Sequence, residues 1–234
     1  MSIAENLNAV RDQVAAACQR AGRSGEEVAL MAVSKMHPVQ FLLEAYDAGH
    51  RLFGENRVQE FQGKSPQLGQ ALLGPDRARF HLIGPLQNNK TGKAAELFDE
   101  VDTIDEWKTA QRLETAALEL RKVLPVLLEV KLSPEESKHG VAPENLSELL
   151  NQMSGLKQVQ VQGLMTVPPW SDDPELARPY FRQLRELRDE FQPEHPALVQ
   201  LSMGMSNDFA VAIEEGSTCV RIGTAIFGRR TSAV

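Results

Sequence analysis

From residue 28 to residue 223 the chain repeats one phrase: a short apolar run, a polar turn, then a stretch whose apolar positions recur at helical spacing. The runs are "VALMAVS" (28–34), "RLFGE" (51–55), "RFHLIG" (79–84), "EVDTID" (100–105), "LPVLLEVKL" (124–132), "VQVQGLMTV" (159–167), "LVQLSMG" (198–204) and "STCVRIG" (217–223). Most are apolar on both sides, which predicts parallel strands covered by helices. The stretches between them, such as "PVQFLLEAYDAG", "EWKTAQRLETAALELRK" and "PELARPYFRQLRELRDEF", carry the three-to-four spacing of amphipathic helices. A further amphipathic helix precedes the first run, at about 3–22. No Ser/Gly-rich linker or break in composition interrupts the pattern. The expectation is an α/β fold, a single (β/α)8 barrel of TIM type over about 28–228, in one domain (1–234) with an additional N-terminal helix. An open doubly wound sheet is the alternative.

Composition narrows the function classes. The chain has 234 residues, 42% hydrophobic and 24% charged, and 25 basic against 32 acidic residues give a net charge of -7. Such a surface repels phosphate backbones, so no nucleic-acid partner is expected. The two cysteines, Cys18 and Cys219, have no CxxC spacing, and the five histidines show no HExxH or HxH spacing, so no metal site is expected. The N-terminus is charged throughout and no run approaches the roughly 18 apolar residues of a membrane span. A cytoplasmic protein without membrane contact follows.

In a barrel of this type the chemistry lies at the C-terminal ends of the strands. The first strand ends on Lys35, an unusual place for a lysine unless its stem snorkels to water. Strands seven and eight end in "SMGMSND" and "RIGTAIFG". Loops at these two positions often bind phosphate through backbone N–H groups. Gly204 and Gly223 let a backbone approach a ligand closely, and Ser206 and Thr224 add hydroxyl donors. Arg221 precedes Gly223 by two residues and faces the same side. A phosphate site facing a strand-end lysine suggests pyridoxal phosphate. "GPLQNNKT" (84–91) approaches a nucleotide-binding loop, but Asn89 stands where that motif needs Gly.

The elements "AVSKMHP", "FGENRVQE", "FHLIGPLQNNK", "ESKHG", "GLMTVPP" and "LSMGMSNDFAVAIEEGSTCVRIGTAIFG" occur in this order across nearly the whole chain. Together they resemble the pyridoxal phosphate homeostasis family, the alanine-racemase-like N-terminal barrels of fold type III. The resemblance implies pyridoxal 5'-phosphate held as a covalent aldimine on Lys35. It also implies Ser206, Gly223 and Thr224 at the phosphate and Arg221 at the pyridine nitrogen. Asn56, His81 and Met203 would line the ring face or the mouth of the pocket. His81 can equally be a hydrogen-bonded core histidine. Lys138 occupies the family's "SKxG" position in a loop near the cofactor entrance.

Two roles then compete. A carrier would buffer the reactive aldehyde and deliver it to apo-enzymes. A racemase would need acid/base groups on both faces of an amino-acid α-carbon. In the racemases the group opposing the lysine is a tyrosine from the partner subunit's second domain, whereas Tyr46 and Tyr180 fall in predicted outer helices. A cation at the pyridine nitrogen also weakens the ring as an electron sink. The expectation is therefore a non-catalytic homeostasis protein and, without the racemase dimer contact, a monomer.

Overall fold

The computed structural model describes residues 2–135 and 139–228. Among them the order is α1 (Ile3–Arg20), β1 (Ala29–Val33), α2 (Val39–Asp47), β2 (Leu52–Glu55), α3 (Val58–Lys64), β3 (Arg79–Leu82), α4 (Thr91–Leu97) and β4 (Glu100–Ile104). The second half continues α5 (Trp107–Glu119), β5 (Leu124–Glu129), α6 (Leu146–Met153), β6 (Val159–Met165), α7 (Arg178–Phe191), β7 (Gln200–Ser202), α8 (Phe209–Glu214), β8 (Cys219–Ile222) and α9 (Thr224–Phe227). The strands pair in sequence order, and β8 lies parallel to β1, closing the barrel. Closure excludes the open sheet. All eight predicted strands form, each shorter than its apolar run because the ends peel away into turns. At β7 only three residues stay paired, and the chain leaves at Gly204 with φ of +96°.

The two faces of the barrel wall differ. Outward, Phe53 of β2 and Phe80 of β3 stack at 5.2 Å, and Phe61 of α3 stacks on Phe80 at 4.4 Å and lies tilted against Phe98 at 4.9 Å. Each fully buried phenyl of this kind contributes about 1.5–3 kcal/mol. Inward, the sequence expectation of apolar faces fails. Buried His81, Glu100, Asp102 and Arg221 occupy the interior of β3, β4 and β8. Gly54 leaves room for two apolar neighbours: a Cβ there would lie 2.7 Å from Met31 Sδ and 2.9 Å from Ile83 Cδ1.

The N-terminal helix backs the helices that follow β7 and β8. Ser2 and Glu5 form a capping box, and Ile3, Leu7, Val10, Val14, Ala17 and Cys18 bury one face. That face packs on α8 and α9. Arg23, just beyond the helix, donates to the carbonyls of Ile213 (2.9 Å) and Ser217 (2.7 Å), and Asn6 donates to Ile226 O at 2.9 Å. Across the barrel, Glu114 of α5 accepts the N–H groups of Lys157, Gln158 and Val159 at 3.0, 2.9 and 2.8 Å and so fixes the entry to β6. Among the described residues no helix is long and apolar enough to cross a membrane.

Candidate functional site

A cavity of about 550 Å³ opens at the C-terminal ends of the strands, within the size range of small-molecule pockets. Lys35, Asn56, Ser206, Arg221, Gly223 and Thr224 all line it. The other two predicted residues lie elsewhere. Met203 is fully buried, its N–H bonded to Cys219 O at 3.1 Å and its carbonyl accepting from Ser217 Oγ at 2.7 Å. His81 sits two residues before Ile83, which does line the cavity, and alternation places it one layer lower, facing Glu100 and Asp102. Lys138 lies outside the described residues.

Lys35 is held by its neighbours on both sides. Ser34 N–H bonds Gly54 O at 3.0 Å and Ser34 Oγ donates to Glu55 Oε1 at 2.8 Å. Lys64 Nζ donates to that same oxygen at 2.9 Å, to Ser34 O at 3.0 Å, and pairs with Glu60 Oε1 at 2.7 Å. Met36 then adopts a left-handed φ of +63°, which is strained for any residue with a Cβ. Its N–H donates to Glu60 Oε1 at 2.5 Å, compensating part of that strain. Burial works against ionisation of Glu60, but the hydrogen bonds from Lys64 and Met36 hold its carboxyl below the usual range. Lys35 Nζ reaches inward and donates to Asn56 Oδ1 at 3.2 Å. Asn56 is set in turn by Gly84, where a Cβ would lie 2.2 Å from Asn56 O, and Gly84 O accepts from Thr103 Oγ1 at 2.8 Å.

Beside the lysine, after β8, which pairs with β1, and after the adjoining β7, stand the two glycine loops. At Gly204 both the positive φ and the crowding of Ala212, whose Cβ would lie 2.6 Å from a Cβ placed there, demand glycine. Its carbonyl accepts Arg221 N–H at 2.9 Å, which ties the β7 exit to β8. Asp208 Oδ1 accepts Met205 N–H at 2.6 Å and turns the chain into α8. Burial pushes the Asp208 carboxyl above its ordinary pKa. On the neighbouring loop a Cβ at Gly223 would meet Val33 O at 3.1 Å. Ser206 and Thr224 are exposed toward the cavity, one from each loop.

Arg221 forms part of the floor. Its guanidinium donates to Ser202 Oγ and to Thr166 O, both at 2.8 Å. Burial draws its pKa down, opposed by Cys219 and by the carboxyls of Asp102, Glu129 and Asp208. Glu129, Gly84, Met205, Asn207 and Trp170 also line the cavity and were not singled out by the sequence. The first four lie in flagged strand ends, but one sequence does not tell which residue of a turn points inward. Trp170 gave no signal at all.

These features can be set beside known proteins. A family model described as "Alanine racemase, N-terminal domain" matches residues 6–231. A pyridoxal phosphate homeostasis protein of Aquifex aeolicus (strain VF5) is 45% identical over 231 residues, 98% of this chain and 99% of that protein. The protein of the same name from Escherichia coli (strain K12) is 42% identical over 230 residues, 97% of each. Among solved structures, PipY of Synechococcus elongatus PCC7942, known without PLP and with PLP bound, aligns with a TM-score of 0.86 at 41% identity. That alignment covers 97% of this chain and 100% of PipY. An alanine racemase of Clostridium difficile 630, 14% identical, shares the fold with a TM-score of 0.75 over 99% of this chain and 57% of the racemase.

Proposed function

The chain belongs to the alanine racemase N-terminal domain family and, within it, to the pyridoxal phosphate homeostasis proteins, and from that premise we propose that it is a cytoplasmic, monomeric carrier that binds pyridoxal 5'-phosphate through Lys35 and passes it to apo-enzymes. One observation carries the proposal: an amine, a guanidinium and two glycine-hinged hydroxyl loops converge on a single cavity. This donor set fits the cofactor, whose aldehyde needs an amine and whose phosphate needs close backbone approach and hydroxyl donors. When bound, the group would supply a reactive aldehyde and a ring able to accept electrons.

The chain's own residues favour holding over turning over. Lys35, oriented by Asn56, offers the attachment point. Ser206, Gly223 and Thr224 would bind the phosphate, and Arg221 would face the ring nitrogen. A fixed cation at that nitrogen opposes its protonation, which carbanion chemistry requires. Tyr46 lies in α2 and donates to Asp76 O at 3.2 Å, Tyr180 lies in α7, and neither lines the cavity. An acid/base partner for Lys35 on the opposite face of a substrate is thus not among the tyrosines.

Three measurements test this. Loaded protein incubated with an apo-enzyme is expected to restore its activity even when a cofactor trap is present. Amino acids incubated with loaded protein in D2O are expected to keep their α-proton, and Lys35-dependent deuterium incorporation into any of them would replace the carrier by a racemase-like enzyme. Ser206→Ala combined with Thr224→Val is expected to weaken cofactor retention by about 10-fold or more, the loss of two hydrogen bonds to a charged group. Unchanged retention, followed by absorbance after gel filtration, would remove these residues from the phosphate site.

A further inference from the structure

The lower interior of the barrel holds a second group of side chains that the cavity does not use. His81 of β3 pairs in register with Glu100 of β4, and Asp102 follows on the same face of β4. His81 Nδ1 lies 3.2 Å from Asp102 Oδ1, and His81 Nε2 lies 3.7 Å from Glu100 Oε2. One ligand atom from each of the three residues can be chosen so that all lie within 4.8 Å of one another. His81 is 9% exposed, Glu100 7% and Asp102 1%. Yet Glu100 Oε1 and both carboxylate oxygens of Asp102 accept no hydrogen bond of normal geometry among the described residues, and His81 Nδ1 meets Asp102 Oδ1 only as an ion-pair contact at 3.2 Å. The described hydrogen bonds of the Arg221 guanidinium go to Ser202 and Thr166, not to Asp102. A buried carboxylate whose one described charge partner is an imidazole, with no hydrogen bond of normal geometry to either oxygen, is a costly arrangement for a fold to keep without a ligand.

We infer that His81, Glu100 and Asp102 form a binding site for one divalent transition-metal ion of the zinc class. An imidazole nitrogen with two carboxylate oxygens suits such an ion, whereas magnesium and calcium prefer oxygen alone. Two carboxylates and a neutral imidazole balance the charge of a divalent cation. Ligand atoms around tetrahedral zinc lie roughly 3.5 Å apart, so small side-chain rotations close the site. The ligands come from adjacent strands, two of them alternating along β4, which is why no HxH or HExxH spacing marks them in the sequence. Glu100 opens β4 at the N-terminal end of the barrel, where Leu52 opens β2 and Cys219 opens β8, all slightly exposed. The ion therefore enters from the N-terminal mouth, away from the cofactor cavity, and the site stands whether or not the carrier function holds.

The test uses the full chain, stripped with a chelator and titrated with Zn2+ alone. Uptake of one equivalent is expected with a Kd below about 1 µM. Co2+ in its place is expected to give visible absorption of a four- or five-coordinate site. Asp102→Asn and Glu100→Gln are each expected to weaken Zn2+ binding by at least about 100-fold, since loss of a mere supporting group already costs 10–100-fold. Should Asp102→Asn not fold, Glu100→Gln at the mouth decides alone. Absence of stoichiometric uptake by the unaltered protein, or equal uptake by the folded variants, overturns the site.

Discussion

Lys35→Ala is expected to leave a colourless protein that loses pyridoxal 5'-phosphate on gel filtration, with retention reduced at least about 100-fold, equivalent to about 2.7 kcal/mol. The expected effect is large because the proposed covalent attachment through Lys35 is one that noncovalent contacts do not replace. Ser206, Thr224 and Arg221 would remain, so the variant is expected to keep weak, reversible binding. Borohydride treatment of the loaded, unaltered protein is expected to fix the cofactor mass on the peptide containing Lys35. Fixation on another lysine would move the attachment point and, with it, the meaning of the Asn56 contact at 3.2 Å.

Lys64→Met is expected to destabilise the fold by about 3 kcal/mol, although Lys64 does not line the cavity. Its ammonium is surrounded by Glu55 Oε1, Glu60 Oε1 and Ser34 O at 2.9, 2.7 and 3.0 Å, and Glu55 is fully buried. Removing the cation strands a carboxylate inside the protein. Burial already holds the Glu55 carboxyl above its ordinary pKa, against the pull of Lys64 and Ser34. A carboxyl whose folded pKa is raised binds its proton more readily in the folded state, so its contribution to stability falls as pH rises through that window. Without Lys64 the window widens, and the deficit relative to the unaltered protein is expected to be larger at pH 8 than at pH 5. Adding Glu55→Gln is expected to recover most of the loss, because no buried charge then remains. Denaturant melts of the three proteins at both pH values measure this. A deficit independent of pH would mean that Lys64 acts through packing and not through Glu55. The same cluster holds Ser34 and Met36 on either side of Lys35, so the single variant is also expected to loosen cofactor attachment.

Most of the barrel was legible without coordinates. Eight apolar runs separated by helical stretches can bury their outer faces only under helices, and the strands formed where the runs lie. The barrel-mouth lysine and the two glycine loops were legible for a related reason: strand ends are where this architecture places its ligands, and glycine and hydroxyl residues there are visible one at a time. His81 and Met203 were harder. Both sit in flagged segments, but whether a residue faces the mouth, the layer beneath it or the helical shell depends on strand tilt and on where each strand stops pairing. The same limit hid Gly84 and Lys64, whose roles come from a 2.2 Å constraint on Asn56 and from three acceptors gathered from the turn after β1, from β2 and from α3.

The sequence by itself determined the element order, the covered strands and the chemistry available at their ends, because periodicity and residue type are properties of short segments. Only the tertiary structure decided what the inside of the barrel contains. In "EVDTID" Glu100 and Asp102 flank apolar Val101, an alternation that a half-exposed strand would also show. Closure of the sheet turns Glu100 and Asp102 inward beside His81, and brings Lys35, Asn56, Arg221 and Thr224 to one cavity from strands far apart in the chain. Contacts of that kind depend on register and closure, which no single segment encodes.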